Sequence, residues 1–192
     1  MTNTVEQEII DANLPEWTPV PSYAARFRDL LMTATLAQME AAATWYAEAQ
    51  EVAEDVAEIL GVSLEHGAAI VSAFSPRERW STNIAKAYAF ANGKPVTGLS
   101  NNLKMANDAK ANGFDALKGL KTNAFARAIA GDNNAVVIDV WMCRAANAAT
   151  DSPSKGLYNT LSDAVTVVAN EHGLSPRTAQ ALIWIVKRGS AE

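Results

Sequence analysis

Between residues 23 and 60 the chain carries neither glycine nor proline, and Leu30, Leu31, Ala34, Met39, Trp45, Val52, Val56 and Ile59 recur along it at helical spacing. Good helix formers fill the gaps, so the stretch is predicted to be one long helix with a mostly glutamate polar face. The same texture continues to the C-terminus, with Gly, Pro and Ser at helix-length intervals and few apolar/polar alternations of the strand kind. An all-α fold follows. After a loose start that ends in the Pro15, Pro19 and Pro21 segment, helices are expected at 23–60 and from Ser63 to about Phe74. Another should run from Ser75 to about 92, and further ones at 100–112, 122–130, 140–149, 154–171 and 175–188. Ser75-Pro76-Arg77-Glu78 combines an N-cap serine, a proline at the first helical position and a glutamate three residues after the cap. The tripeptide Ser-Pro-Arg returns at 175–177, and both copies are expected to open helices.

The chain of 192 residues is 49% hydrophobic with a single cysteine, which suits one globular domain over 1–192 and excludes collagen-like, disulfide-stapled and disordered classes. The longest apolar run, 135–143, holds Asp139 and is far short of the ~20 residues of a membrane span. The acidic first residues lack the basic and apolar regions of a secretory signal, so a reducing cytoplasm is the expected location, without membrane attachment. The net charge of −5 conceals a division along the chain. Residues 1–61 hold 11 acidic and 2 basic side chains, net −9, whereas residues 62–192 hold 10 acidic and 14 basic, net +4. Phosphate attraction follows the local field, so a basic face on the later part is compatible with nucleic-acid binding, as is an ordinary solvated surface.

The most informative segment is 117–146, LKGLKTNAFARAIAGDNNAVVIDVWMCRAA. Leu117-Lys118-Gly119-Leu120 matches the first four positions of an apolar-x-Gly-apolar-Gly hairpin, with Lys121 in place of the second Gly. Downstream, residues 137–142 match an apolar-Asp-apolar-x-Met pattern around Asp139. In these features the chain resembles the helix-hairpin-helix DNA glycosylase superfamily, well over about thirty residues and loosely, by helix order, over 64–188. The resemblance implies a glycosylase-like helical domain over 62–192, preceded by an acidic helical part over 1–61, with a hairpin at 117–123 that grips double-stranded DNA.

Physical chemistry gives these residues their expected roles. A tight turn entering a helix points backbone N–H groups outward, so Lys118, Gly119, Leu120, Lys121, Thr122 and Asn123 are the expected phosphate anchor, helped by two lysines. A plain helix–helix turn is the alternative reading of Gly119. Asp139, amid apolar neighbours, is costly to bury unless hydrogen-bonded. The resemblance assigns it the catalytic charge that stabilises an oxocarbenium-like sugar and orients the attacking nucleophile. A role as N-cap of the helix it opens is the compatible alternative. Aligning Gly119 with the first hairpin glycine puts Asn123 at the Schiff-base position of the bifunctional members. An amide cannot form an imine, so excision without strand cleavage is expected.

A flipped base needs aromatic walls and polar groups at its edge. Residues 72–83 resemble the corner that lines such a pocket and supply Phe74, Ser75, Arg77, Trp80 and Asn83, while Trp141 is a further stacking candidate. Trp17, Trp45 and Trp184 are expected to be packing residues. His66 and His172 lie far apart in sequence, so no metal is expected, and no nucleotide loop or serine elbow argues for a cofactor.

Two functional classes stand beside excision. The chain is similar to bacteriophage glycosylase-like proteins that hypermodify thymine. That likeness implies transfer of an amino acid or amine to activated 5-hydroxymethyluracil in DNA, with Asp139 as general base. The third possibility is a helical DNA-binding module without catalysis.

Overall fold

The computed structural model describes residues 20–190. Pro15, Trp17 and Pro19 lie outside them. Among the described residues every regular element is helical: α1 (Val20–Met32), α2 (Leu36–Leu60), α3 (Leu64–Ala73), α4 (Trp80–Ala91), α5 (Ser100–Asn112), a 3₁₀ turn (Gly113–Ala116), α6 (Leu120–Ile129), α7 (Val140–Ala145), α8 (Lys155–Glu171) and α9 (Pro176–Arg188). The all-α expectation is met.

The described chain divides into two compact units, residues 20–43 with 136–190, and residues 44–135. In the first, α1 packs on α8 and α9, and α9 also packs on α7 and α8. Phe27 and Leu31 of α1, Leu161, Val165 and Val168 of α8, and Ile183 and Ile185 of α9 form its core. Full burial of such side chains stabilises by about 1.5–3 kcal/mol each, so this interface defines the unit. Arg28 reaches Glu171, the last residue of α8, through two bonds of 2.9 and 2.8 Å. In the second unit α3 is central, with residues 67–73 all buried, and it packs against α4, α5, α6 and the 3₁₀ turn. Gly67 allows the Ala53 carbonyl to approach the α3 backbone where any Cβ would collide with it.

The structure corrects several boundaries. The long helix expected over 23–60 is two helices, because Thr35 and Gln38 form a capping box. Thr35 N–H donates to Gln38 Oε1 at 2.9 Å and Gln38 N–H donates to Thr35 Oγ1 at 3.3 Å, which starts α2 afresh. Pro21 belongs to the first turn of α1, where its missing N–H is harmless, and not to the loose start. The helix expected from Ser75 begins at Trp80 instead, with Arg79 at the N-cap. Residues 75–78 form a turn closed by Glu78 N–H on Ser75 O at 3.3 Å, and Arg77 adopts φ +63°, which no α-helix tolerates. The helix expected over 140–149 stops at Ala145 because Asn147 takes φ +52°, the left-handed position that ends helices. The helix expected from Thr122 starts two residues earlier, at Leu120.

No single described helix is long and apolar enough to cross a membrane, and α2 with α3 meet that test jointly only across a 111° bend.

Candidate functional site

Within the unit formed by residues 44–135, the segment 117–123 connects the 3₁₀ turn to α6. Gly119 is the N-cap of α6 at φ −79°, an ordinary conformation, and no side chain caps the helix. A Cβ there would stand 3.1 Å from Thr122 Oγ1, whose hydroxyl donates to Gly119 O at 3.0 Å, a tight contact that favours glycine. Lys118, Gly119 and Leu120 are exposed, and Lys121 is half-buried in the first turn of α6. Lys121 occupies a plain helical position, so the absent second hairpin glycine is not needed for this backbone.

Thr122 and Asn123 face the interior. Thr122 is buried, and its carbonyl accepts from Ser72 Oγ of α3 at 2.7 Å. Asn123 N–H donates to Gly119 O at 2.9 Å, and its Nδ2 donates to Phe114 O and Leu117 O, both at 3.2 Å. Its Oδ1 accepts from Arg127 Nε at 2.9 Å, and the Arg127 guanidinium lies 4.8 Å from the centre of the Phe114 ring. Asn123 therefore fastens the 3₁₀ turn to α6, and its expected phosphate contact has no donor left in these bonds. The outward anchor is reduced to 118–121.

The expected pocket residues in this unit have separate surroundings. Phe74 is fully buried and meets Phe90 edge-on at 5.7 Å, beside a cavity of about 30 Å³. Arg77 is exposed and lines an open hollow of about 390 Å³ with Leu99, Asn101, Asn102 and Met105. Trp80 joins an aromatic cluster with Trp45 at 5.3 Å and Phe125 at 6.2 Å, and Tyr46 touches Trp45 edge-on at 4.8 Å. Trp45 is thus a packing residue as expected, and Trp80 shares that role. Asn83 follows Trp80 by nearly one turn of α4 and is 1% exposed. Its Oδ1, together with Ser75 Oγ, is a buried polar atom without a hydrogen-bond partner among the described residues. Such an atom costs about 1–3 kcal/mol, so two within nine residues mark the segment 75–83 as unsatisfied.

In the other unit, Asp139 caps α7. Its Oδ1 accepts from Trp141 N–H at 2.9 Å and Met142 N–H at 3.0 Å, and its Oδ2 accepts from Trp184 Nε1 of α9 at 3.0 Å. Every one of these partners is a donor, the arrangement that suits an ionised carboxylate. The residues leading to it are clamped by Tyr158 of α8, whose hydroxyl donates to Val136 O at 2.9 Å and accepts from Ile138 N–H at 3.2 Å. Burial pushes the Tyr158 phenol up to about 12, so it stays a hydroxyl. Burial first, and then the Asp139 charge, push the Cys143 thiol up to about 11. Trp141 is half-buried, and one face of its ring carries the Arg144 guanidinium at 5.1 Å. Arg144 is in turn held by Asp151 at 2.7 Å.

The profile of one family matches residues 16–191, a span that includes every described helix of both units. The chain belongs to DUF7178, a family of unknown function. No curated protein and no solved structure matches it. For this DUF7178 chain the residues that sequence reasoning missed are Trp184, expected only to pack, and Tyr158, which carried no expectation. Their bonds to the Asp139 segment cross 45 and about 20 residues, and no local motif announces them. The one signal the sequence held was chemical: a buried tyrosine or tryptophan needs a partner for its polar edge.

Proposed function

We propose that this chain is a DNA base-flipping enzyme of the helix-hairpin-helix glycosylase type, excising a base from duplex DNA without cutting the strand. The observation that carries the reading is the Asp139 carboxylate, half-buried at the start of α7 and oriented by three N–H donors on two helices. A preorganised negative charge of this kind stabilises a positively charged sugar as the base departs, since no rearrangement is needed when charge develops. Lys118 and Lys121 beside the uncapped start of α6 supply a sequence-independent phosphate contact. Asn123, bonded into its own unit and chemically unable to form an imine, supports hydrolysis over lyase chemistry. Ser75 and Asn83 hold two unpartnered polar atoms that an opening of segment 75–83 would offer to a flipped base, and half-buried Trp80 adds the part of its ring that its packing partners leave uncovered.

The test incubates the full chain with duplexes carrying single damaged or modified bases, including 5-hydroxymethyluracil with and without pyrophosphorylation, and analyses nucleosides by mass spectrometry. Abasic sites that vanish in Asp139→Asn are the expected result. A gain in nucleoside mass with an amine present would instead assign transfer to the activated base. Binding without either product would leave a DNA-binding module.

A further inference from the structure

We infer that Trp184 is the positioning residue for Asp139, an inference that rests on the glycosylase-type reading. Capping a helix takes only one oxygen of an aspartate. Asp139 already meets the capping need through Oδ1, which accepts from both Trp141 and Met142 N–H. The bond from Trp184 Nε1 to Oδ2 adds nothing to the cap. It fixes the plane of the carboxylate, because the Cβ–Cγ torsion of aspartate is broad and a bond to one oxygen alone leaves it free to rock.

The indole is itself held. Trp184 lies on α9, a helix packed against α7, and its chain neighbours Ile183 and Ile185 are buried. The Arg188 guanidinium, one turn further on, lies 4.7 Å from the centre of its ring. A tryptophan that is only half-buried has water within reach of its N–H. This one turns its N–H to a carboxylate 45 residues away, at 3.0 Å. Trp184 acts through Asp139 and needs no contact with DNA.

Two substitutions in the full chain test the inference, Trp184→Phe and the replacement of Trp184 by 3-benzothienylalanine. The second keeps the bicyclic shape and exchanges only N–H for sulfur, so it reads the donor even where Phe loosens α9. The substrate is the duplex on which the wild type forms product. The expected result is a kcat lower by about tenfold to a hundredfold in both variants, with KM within twofold and DNA binding unchanged. In a ¹⁵N-labelled protein the Trp184 indole resonance, identified by its loss in Trp184→Phe, should move and exchange faster with water in Asp139→Asn. An indole signal indifferent to Asp139→Asn overturns the inference whether or not the chain acts on DNA. Product from the wild type with kcat unchanged in both variants overturns the inference alone. Absence of product from the wild type overturns the proposed function, and with it any chemical role for Trp184.

Discussion

The tripeptide Ser-Pro-Arg occurs at 75–77 and at 175–177, and only the second copy does what its sequence announces. Ser175 caps α9, accepting from Thr178 N–H at 3.1 Å, with Pro176 at the first helical position. Around Ser75 the same letters form a turn, with Arg77 left-handed and Ser75 Oγ buried without a partner. The difference lies in what surrounds each copy. Glu78, the expected reciprocal cap, pairs with Lys86 of α4, and the Pro76 carbonyl accepts from buried Asn102 Nδ2 at 3.2 Å. Residues three positions apart settle a helix start where no distant partner competes, as at Ser175. Where distant partners do compete, the same residues yield a turn that bears local cost. The costly copy adjoins Trp80 and Asn83, the segment from which a base pocket is proposed, and departures from local rules gather at sites of function.

That contrast is open to direct test. The largest effect is expected from Asn83→Leu, which removes a buried unpartnered oxygen while keeping the side chain close to its present size. It should raise unfolding stability by about 1–3 kcal/mol in urea denaturation, with product formation on DNA falling at least tenfold. A variant that is less stable and equally active would show Asn83 to be structural. Ser175→Ala should cost about 1 kcal/mol, the usual loss of a serine cap, with an unchanged m-value. Arg77→Gly should raise stability by about 0.5–1 kcal/mol, because relief of a left-handed non-glycine residue exceeds the added freedom of the unfolded chain. A loss there would mean that the Arg77 side chain holds the turn. Ser75→Ala, which removes the other buried atom without a partner, should raise stability by about 0.5 kcal/mol, the relieved desolvation being offset in part by the small void left behind, so that deleting the same hydroxyl from the two copies gives effects of opposite sign.

The parts of the fold legible in the sequence are those with short-range causes. The helices opened by Ser154 and Ser175 begin as their serines indicate, because Ser154 Oγ accepts from Leu157 N–H and Ser175 Oγ from Thr178 N–H. Asp139 opens α7 for the same reason. The break at 33–35 was also written in the chain, as Thr35 and Gln38. An absence of glycine and proline says only that a helix is permitted, whereas a capping box says where one begins. The turn at 75–78 was not legible, since its causes, Lys86 and Asn102, lie 8 and 26 residues beyond their partners. At the candidate site the acid and the outward lysines could be read from the chain. The interior tasks of Thr122 and Asn123, and the indole behind Asp139, arise only when helices pack.

Tyr158 shows how far such packing reaches. Its single phenolic oxygen accepts from Ile138 N–H and donates to Val136 O, so two backbone groups before Asp139 depend on one atom of another helix. Ortho-nitration of that ring, or its exchange for phenylalanine, would leave the acid and all three of its donors chemically intact. It would still unmoor the strip of chain on which the acid is carried.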